Sequence, residues 1–172
     1  MQEVTLNNGV SIPILGFGVF QIPAAETKQA VLDAIEAGYR HFDTAQAYAN
    51  EREVGQAIAE SGLPREEFFI TSKVWLDHYG YEKARQSVLD SLEKMGMDYL
   101  DLMLLHQPFS DYYGAYRALE DLYREANFGL SGSAISIWTA LVIWQPLLKL
   151  HLRLTRLKLI LLTSKSLLRK TW

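Results

Sequence analysis

The chain has 172 residues, 49% of them apolar and 22% charged, with a formal charge of −3 and no cysteine. That size and composition suit one soluble domain with a buried core, and the lack of cysteine excludes a disulfide framework and thiolate metal sites. The small net charge averages two unlike segments: residues 1–125 hold all 20 acidic residues and 10 of the 17 Lys and Arg, a formal charge of −10, whereas residues 126–172 hold the other 7 basic residues and no acid. Net charge therefore identifies no partner, and no nucleic acid is expected. The start, Met1-Gln2-Glu3-Val4-Thr5, lacks the basic and then apolar pattern of a secretory signal, so a cytoplasmic location is expected. Residues 129–148 are uncharged, but Ser131, Ser133, Ser136, Thr139, Gln145 and Pro146 make them a poor membrane span.

In chain order, Val4-Thr5-Leu6 and Val10-Ser11-Ile12 flank Asn7-Asn8-Gly9 and predict a β-hairpin that covers one end of the fold. Residues 14–20 follow as an apolar strand interrupted by Gly16 and Gly18, which marks a place where something approaches the backbone closely. Residues 24–37 have helical apolar spacing and stop at Gly38. Residues 41–45 predict a short strand, 51–60 a helix with Asn50 as its cap, and 68–74 a strand rich in aromatic and β-branched residues. An amphipathic helix at 81–95 ends at Gly96, and a strand at 100–105 and a helix at 113–124 complete a fourth strand–helix unit. This alternation implies parallel strands with right-handed crossovers. Beyond Glu125 the grammar changes: Leu148, Leu150, Leu152 and Leu154 alternate with Lys149, His151 and Arg153, the pattern of a basic amphipathic strand or a surface-binding segment.

Four polar residues, Asp43, Tyr48, Lys73 and His106, lie at or just beyond the ends of predicted strands, where an α/β barrel keeps its chemistry. A lysine among apolar neighbours needs a counter-charge, which Asp43 can supply. A buried ammonium beside a phenol favours the phenolate and makes Tyr48 a better acid, while His106 can present a ring N–H to a substrate oxygen. Singly, each residue has an ordinary explanation as a cap, a surface group or a structural ion pair. Four compatible residues at equivalent strand ends favour a site that donates a proton to a carbonyl. Trp75 suits a pocket wall or core packing equally. His41 and His78 lack metal-ligand spacing, so no metal is expected, and Gly16-Phe17-Gly18 without a third glycine is not a dinucleotide fingerprint.

Gly38-Tyr39-Arg40-His41-Phe42-Asp43-Thr44-Ala45, followed by Tyr48, Asn50-Glu51 and Val54-Gly55, closely resembles the aldo/keto reductase signature. Ile70-Thr71-Ser72-Lys73-Val74-Trp75 and Leu105-His106-Gln107-Pro108 match two further blocks of that family, and the resemblance runs from about residue 4 to 125. Its closest flavour is the group that includes 2,5-diketo-gluconate reductase and prostaglandin F synthase. The resemblance implies the N-terminal half of a (β/α)8 TIM barrel, and NADPH-dependent reduction of a small carbonyl substrate. It implies Tyr48 as proton donor, Lys73 and Asp43 as its tuning partners and His106 as the residue orienting the carbonyl. Gly18, Val19, Phe20 and Asp43 would meet the cofactor, and Trp75, with Tyr48 and His106, the substrate.

A family member is expected to continue after Glu125 with a segment like GKFRAIGVSNF. Encoding that segment with ordinary codons and deleting one base near its start gives Ala126-Asn127-Phe128-Gly129-Leu130-Ser131-Gly132-Ser133-Ala134-Ile135, the residues present. A family-like sixth-strand segment read in the same frame gives His151-Leu152-Arg153-Leu154-Thr155-Arg156. A frameshifted tail at 126–172 is therefore expected, with loss of the cofactor grips that the family keeps in its second half. The 172-residue chain is accordingly expected to be inactive, with self-association through open barrel edges. The alternative is a non-catalytic protein whose basic, leucine-rich tail binds a membrane surface or a partner chain.

Overall fold

The computed structural model describes residues 2–6 and 10–125. The Asn7-Asn8-Gly9 turn and everything predicted for 126–172, including the frameshifted and surface-binding tail, lie outside the described residues. Strand β1 (Glu3–Thr5) pairs antiparallel with β2 (Ser11–Pro13), with Val4 opposite Ile12. Strands β3 (Gly16–Gly18), β4 (His41–Asp43), β5 (Phe69–Val74) and β6 (Leu102–Leu105) form one sheet in that order, each parallel to the next. Helices α1 (Ala24–Glu36), α2 (Glu51–Glu60) and α3 (Tyr81–Met95) make the crossovers, and α4 (Tyr112–Arg124) follows β6.

The helices form where the sequence supplies a stripe and a stop. In α3 the buried residues Ala84, Val88, Leu92 and Met95 recur every three or four positions. The helix ends at Gly96, whose φ of 64° few side chains tolerate. At the start of α4 the Asp111 side chain accepts the Gly114 N–H at 2.9 Å.

Strand alternation divides the sheet into two faces. Phe42, Ile70, Val74, Met103 and Leu105 pack with the helices in the main core. Phe69, Leu102 and Leu104 point the other way and meet Leu6 and Ile12 of the hairpin, which therefore closes the end of the sheet opposite His106. The predicted strand at 14–20 contracts to three residues, because only Gly16, Phe17 and Gly18 find partners on β4. Ile14 and Leu15 are exposed. The close approach foreseen for the two glycines holds at Gly16, where a Cβ would lie 2.8 Å from the His41 ring. At Gly18 nothing lies within 4 Å of that position.

Candidate active site

Parallel pairing brings the strand-end residues together. Asp43 ends β4 in register with Gly18 and Thr71, and Lys73 lies across from Leu104. His106 follows β6 directly, its N–H donating to the Val74 carbonyl at 3.1 Å. Tyr48 ends a single 3-10 turn, Gln46–Tyr48, that leaves β4 just above this row.

Lys73 Nζ donates to Asp43 Oδ1 at 2.5 Å and to the Thr44 carbonyl at 2.9 Å. One of its three N–H groups is left, and the ammonium sits 5.1 Å from the centre of the Tyr48 ring, whose face attracts a cation. The pair is mostly out of solvent on the lysine side, with side-chain exposures of 14% for Lys73 and 36% for Asp43. Lysine therefore stands beside the phenol as the sequence required, and it does so over the ring rather than through a hydrogen bond to the phenol oxygen.

Around the ion pair stands a row of rings. Phe20 lies 5.0 Å from Tyr48 between centroids, His106 meets Tyr48 edge-on at 5.7 Å, and Trp75 meets His106 edge-on at 4.9 Å. Burial, and then the charge of Lys73, hold the His106 pKa below its ordinary value, with Asp43 pulling the other way. His106 is accordingly neutral at pH 7. Its Nδ1 is buried without a hydrogen-bond partner among the described residues. Of the residues expected to meet a cofactor, Gly18 and Phe20 face this place. Val19 turns its side chain into the helix-facing core, with its N–H on the Asp43 carbonyl at 3.0 Å.

The expected cap role of Asn50 is corrected. Its side chain makes no cap hydrogen bond to α2. Instead, fully buried, it accepts from Thr44 Oγ1 at 2.8 Å and donates to the Val19 carbonyl at 3.1 Å and the Ile22 carbonyl at 3.2 Å. It thus binds the loop after β3 to the loop after β4, and its Oδ1, the atom that would have to accept a backbone N–H to cap α2, is taken by the Thr44 hydroxyl.

A second support escaped the sequence. Gln46 accepts the Trp75 N–H at 2.9 Å and donates to Ser91 Oγ at 3.1 Å. Buried Glu51 accepts from Ser72 Oγ at 2.6 Å and from Ser91 Oγ at 3.2 Å. The stretch that carries Lys73 is therefore held on both flanks from the helix side. Tyr79 likewise bridges to the loop of His106, donating to the Gln107 carbonyl at 2.6 Å. Glu51 lies in the signature block, whereas Gln46 and Tyr79 carried no sequence signal, since their partners lie 28 or more residues away.

The family model for the aldo/keto reductase family matches residues 14–145. The chain belongs to the aldo/keto reductase family. The family match runs past Glu125, where the sequence blocks ended. This aldo/keto reductase chain is 52% identical over 124 residues to the 9,11-endoperoxide prostaglandin H2 reductase of Trypanosoma cruzi, covering 71% of this chain and 44% of that protein. Its structure matches an aldo/keto reductase from Brucella melitensis with a TM-score of 0.83 and 38% identity, over 88% of this chain and 60% of the other. It also matches an aldo-keto reductase of Bombyx mori solved in complex with NADP, with a TM-score of 0.73 and 36% identity, over 77% of this chain and 50% of the other. The sheet and its helices are the N-terminal part of the family's (β/α)8 barrel. The aldo/keto reductase chain spans about half the length of the curated relatives it matches.

Proposed function

We propose that Asp43, Tyr48, Lys73 and His106 form the acid–base end of a site that reduces aldehydes or ketones to alcohols with NADPH. The observation that carries this reading is the Lys73–Asp43 pair at 2.5 Å with its ammonium over the Tyr48 ring and His106 edge-on to that ring. NADPH, when bound, supplies the hydride to the carbonyl carbon. Gly18 fits it: apart from its chain neighbours, no described residue lies within 4 Å of where a Cβ would stand, so a flat ring can reach the backbone beside Asp43.

Tyr48 gives its phenol proton to the carbonyl oxygen as negative charge grows there. Lys73, fixed by Asp43 and the Thr44 carbonyl, keeps one N–H and a full positive charge beside the phenol, which favours the phenolate left behind. His106, kept neutral by burial, orients the carbonyl with a ring N–H. With Nδ1 buried and unpartnered among the described residues, the neutral ring keeps its proton on Nε2, because a buried N–H with no acceptor is the costlier orphan. Trp75 and Phe20 wall the place where the carbonyl substrate lies.

The test uses a chain with one base inserted at the Glu125 codon, which on the proposed frameshift would return a family-like second half. Aldehyde-dependent oxidation of NADPH is expected from it, and Tyr48→Phe is expected to lower turnover by about 10²–10⁴-fold, the usual share of a general acid. Retention of turnover in Tyr48→Phe removes Tyr48 from this role.

A further inference from the structure

We propose that Tyr79 is a positioning residue for His106; this rests on the reading of His106 as the group that orients the carbonyl. The Tyr79 side chain is buried, with 6% of the residue exposed, and sits just after the turn Leu76–His78 that follows β5. Its hydroxyl donates to the Gln107 carbonyl at 2.6 Å and accepts the Gln107 N–H at 3.1 Å. One hydroxyl therefore satisfies both backbone groups of the residue after His106.

The Gln107 N–H belongs to the peptide plane that leaves His106, and the Gln107 carbonyl belongs to the plane that leads into Pro108. On the other side, the His106 N–H is held by the Val74 carbonyl at 3.1 Å. The backbone is thus fixed before and after the His106 Cα. The imidazole has no comparable anchor: its Nδ1 lacks a partner among the described residues, and it meets Tyr48 and Trp75 as one ring perpendicular to another. Ring position must then come from the backbone, and the downstream half of that constraint is Tyr79. A neighbouring rung, Gly80 N–H to the Asp111 carbonyl at 3.2 Å, ties the same two loops further out.

The experiment is Tyr79→Phe in the 172-residue chain, which keeps the ring and removes the hydroxyl. The His106 imidazole, assigned by loss of its signals in His106→Gln, is followed by NMR through a pH titration together with exchange of the Gln107 amide. The charged groups that face it are Lys73 and Asp43, and both stay in place. The Gln107 amide is expected to exchange about 10-fold faster or more, the effect of losing one hydrogen bond, and His106 to titrate closer to its ordinary value as its loop takes up water. His41, on another strand, stays where it was. Tyr81→Phe is the control, since it removes a hydroxyl bond of 3.0 Å to Asp121 between α3 and α4. The proposal is overturned if His106 behaves in Tyr79→Phe as in the parent, or shifts equally in Tyr81→Phe. Should Tyr79→Phe not fold, the parent decides: a protected Gln107 amide upholds the clamp, and one exchanging like an exposed loop amide overturns it. None of these readouts needs turnover, so failure of carbonyl reduction and failure of the clamp are seen separately.

Discussion

Glu51 opens α2 with its carboxylate buried against Ser72 and Ser91. Burial raises its pKa, and the two hydroxyls offset this only in part. The stability it contributes is therefore full below the ordinary carboxylate range and is lost as pH rises through the raised folded value. Glu51→Gln is expected to flatten the pH dependence of urea unfolding between pH 4 and 7, while Glu51→Leu, which leaves Ser72 without its acceptor, costs about 1–3 kcal/mol. His41 works in the opposite direction. Its Nδ1 donates to the Pro13 carbonyl at 3.3 Å, and its Nε2 lies 3.1 Å from Thr71 Oγ1, a hydroxyl that can donate to the neutral ring or accept from the charged one. Burial lowers its pKa from the ordinary 6.5, against the pull of the Pro13 carbonyl and Asp43. Its stabilising effect is present above pH 6.5 and is lost as pH falls through the depressed value. His41→Gln should remove that acid sensitivity, read as the midpoint of urea unfolding at pH 5 against pH 7. Neither behaviour was readable from residue type: Glu51 reads as a residue at the start of a helix and His41 as a signature residue, and the partners that bury each lie on other elements.

Among the described glycines, Gly55 of α2 has the least room for a side chain, because it packs against α3. A Cβ there would collide with the Met95 carbonyl, which is backbone and cannot turn aside. Gly55→Ala is expected to cost about 1–3 kcal/mol, the usual cost of overpacking, toward the upper end because the obstacle is rigid, measured by chemical denaturation. Before folding, Gly55 is legible only as half of a Val-Gly signature pair. Helices were read closely, with 51–60 and 81–95 recovered as Glu51–Glu60 and Tyr81–Met95, because their stripes and stops are local. Strand ends were not, since a strand stops where its neighbour stops pairing. Residues 14–20 had the composition of a strand, but β4 offers only His41–Asp43 as partners.

At the scale of the molecule, β3 pairs only with β4 and β6 only with β5 among the described residues. The match spans about half the length of the curated relatives. We therefore expect the 172-residue chain to bind NADPH weakly and turn over little aldehyde and, if the proposed frameshift at the Glu125 codon is real, the chain with one base inserted there to do both. Fluorescence titration with NADPH and a turnover assay on the two proteins side by side check this, and robust turnover by the 172-residue chain would refute it. The order of strands and helices, the family and the four polar residues at strand ends followed from the sequence alone, because periodicity, stop signals and motif spacing are properties of neighbouring residues. Only the tertiary structure decided what those residues touch. It put Lys73 over the Tyr48 ring, turned Asn50 from a helix cap into a tie between loops, sent Val19 into the core and set Tyr79 behind His106. Each of these depends on contacts between residues far apart in the chain, where burial favours partnered polar groups and no local pattern records which residues meet.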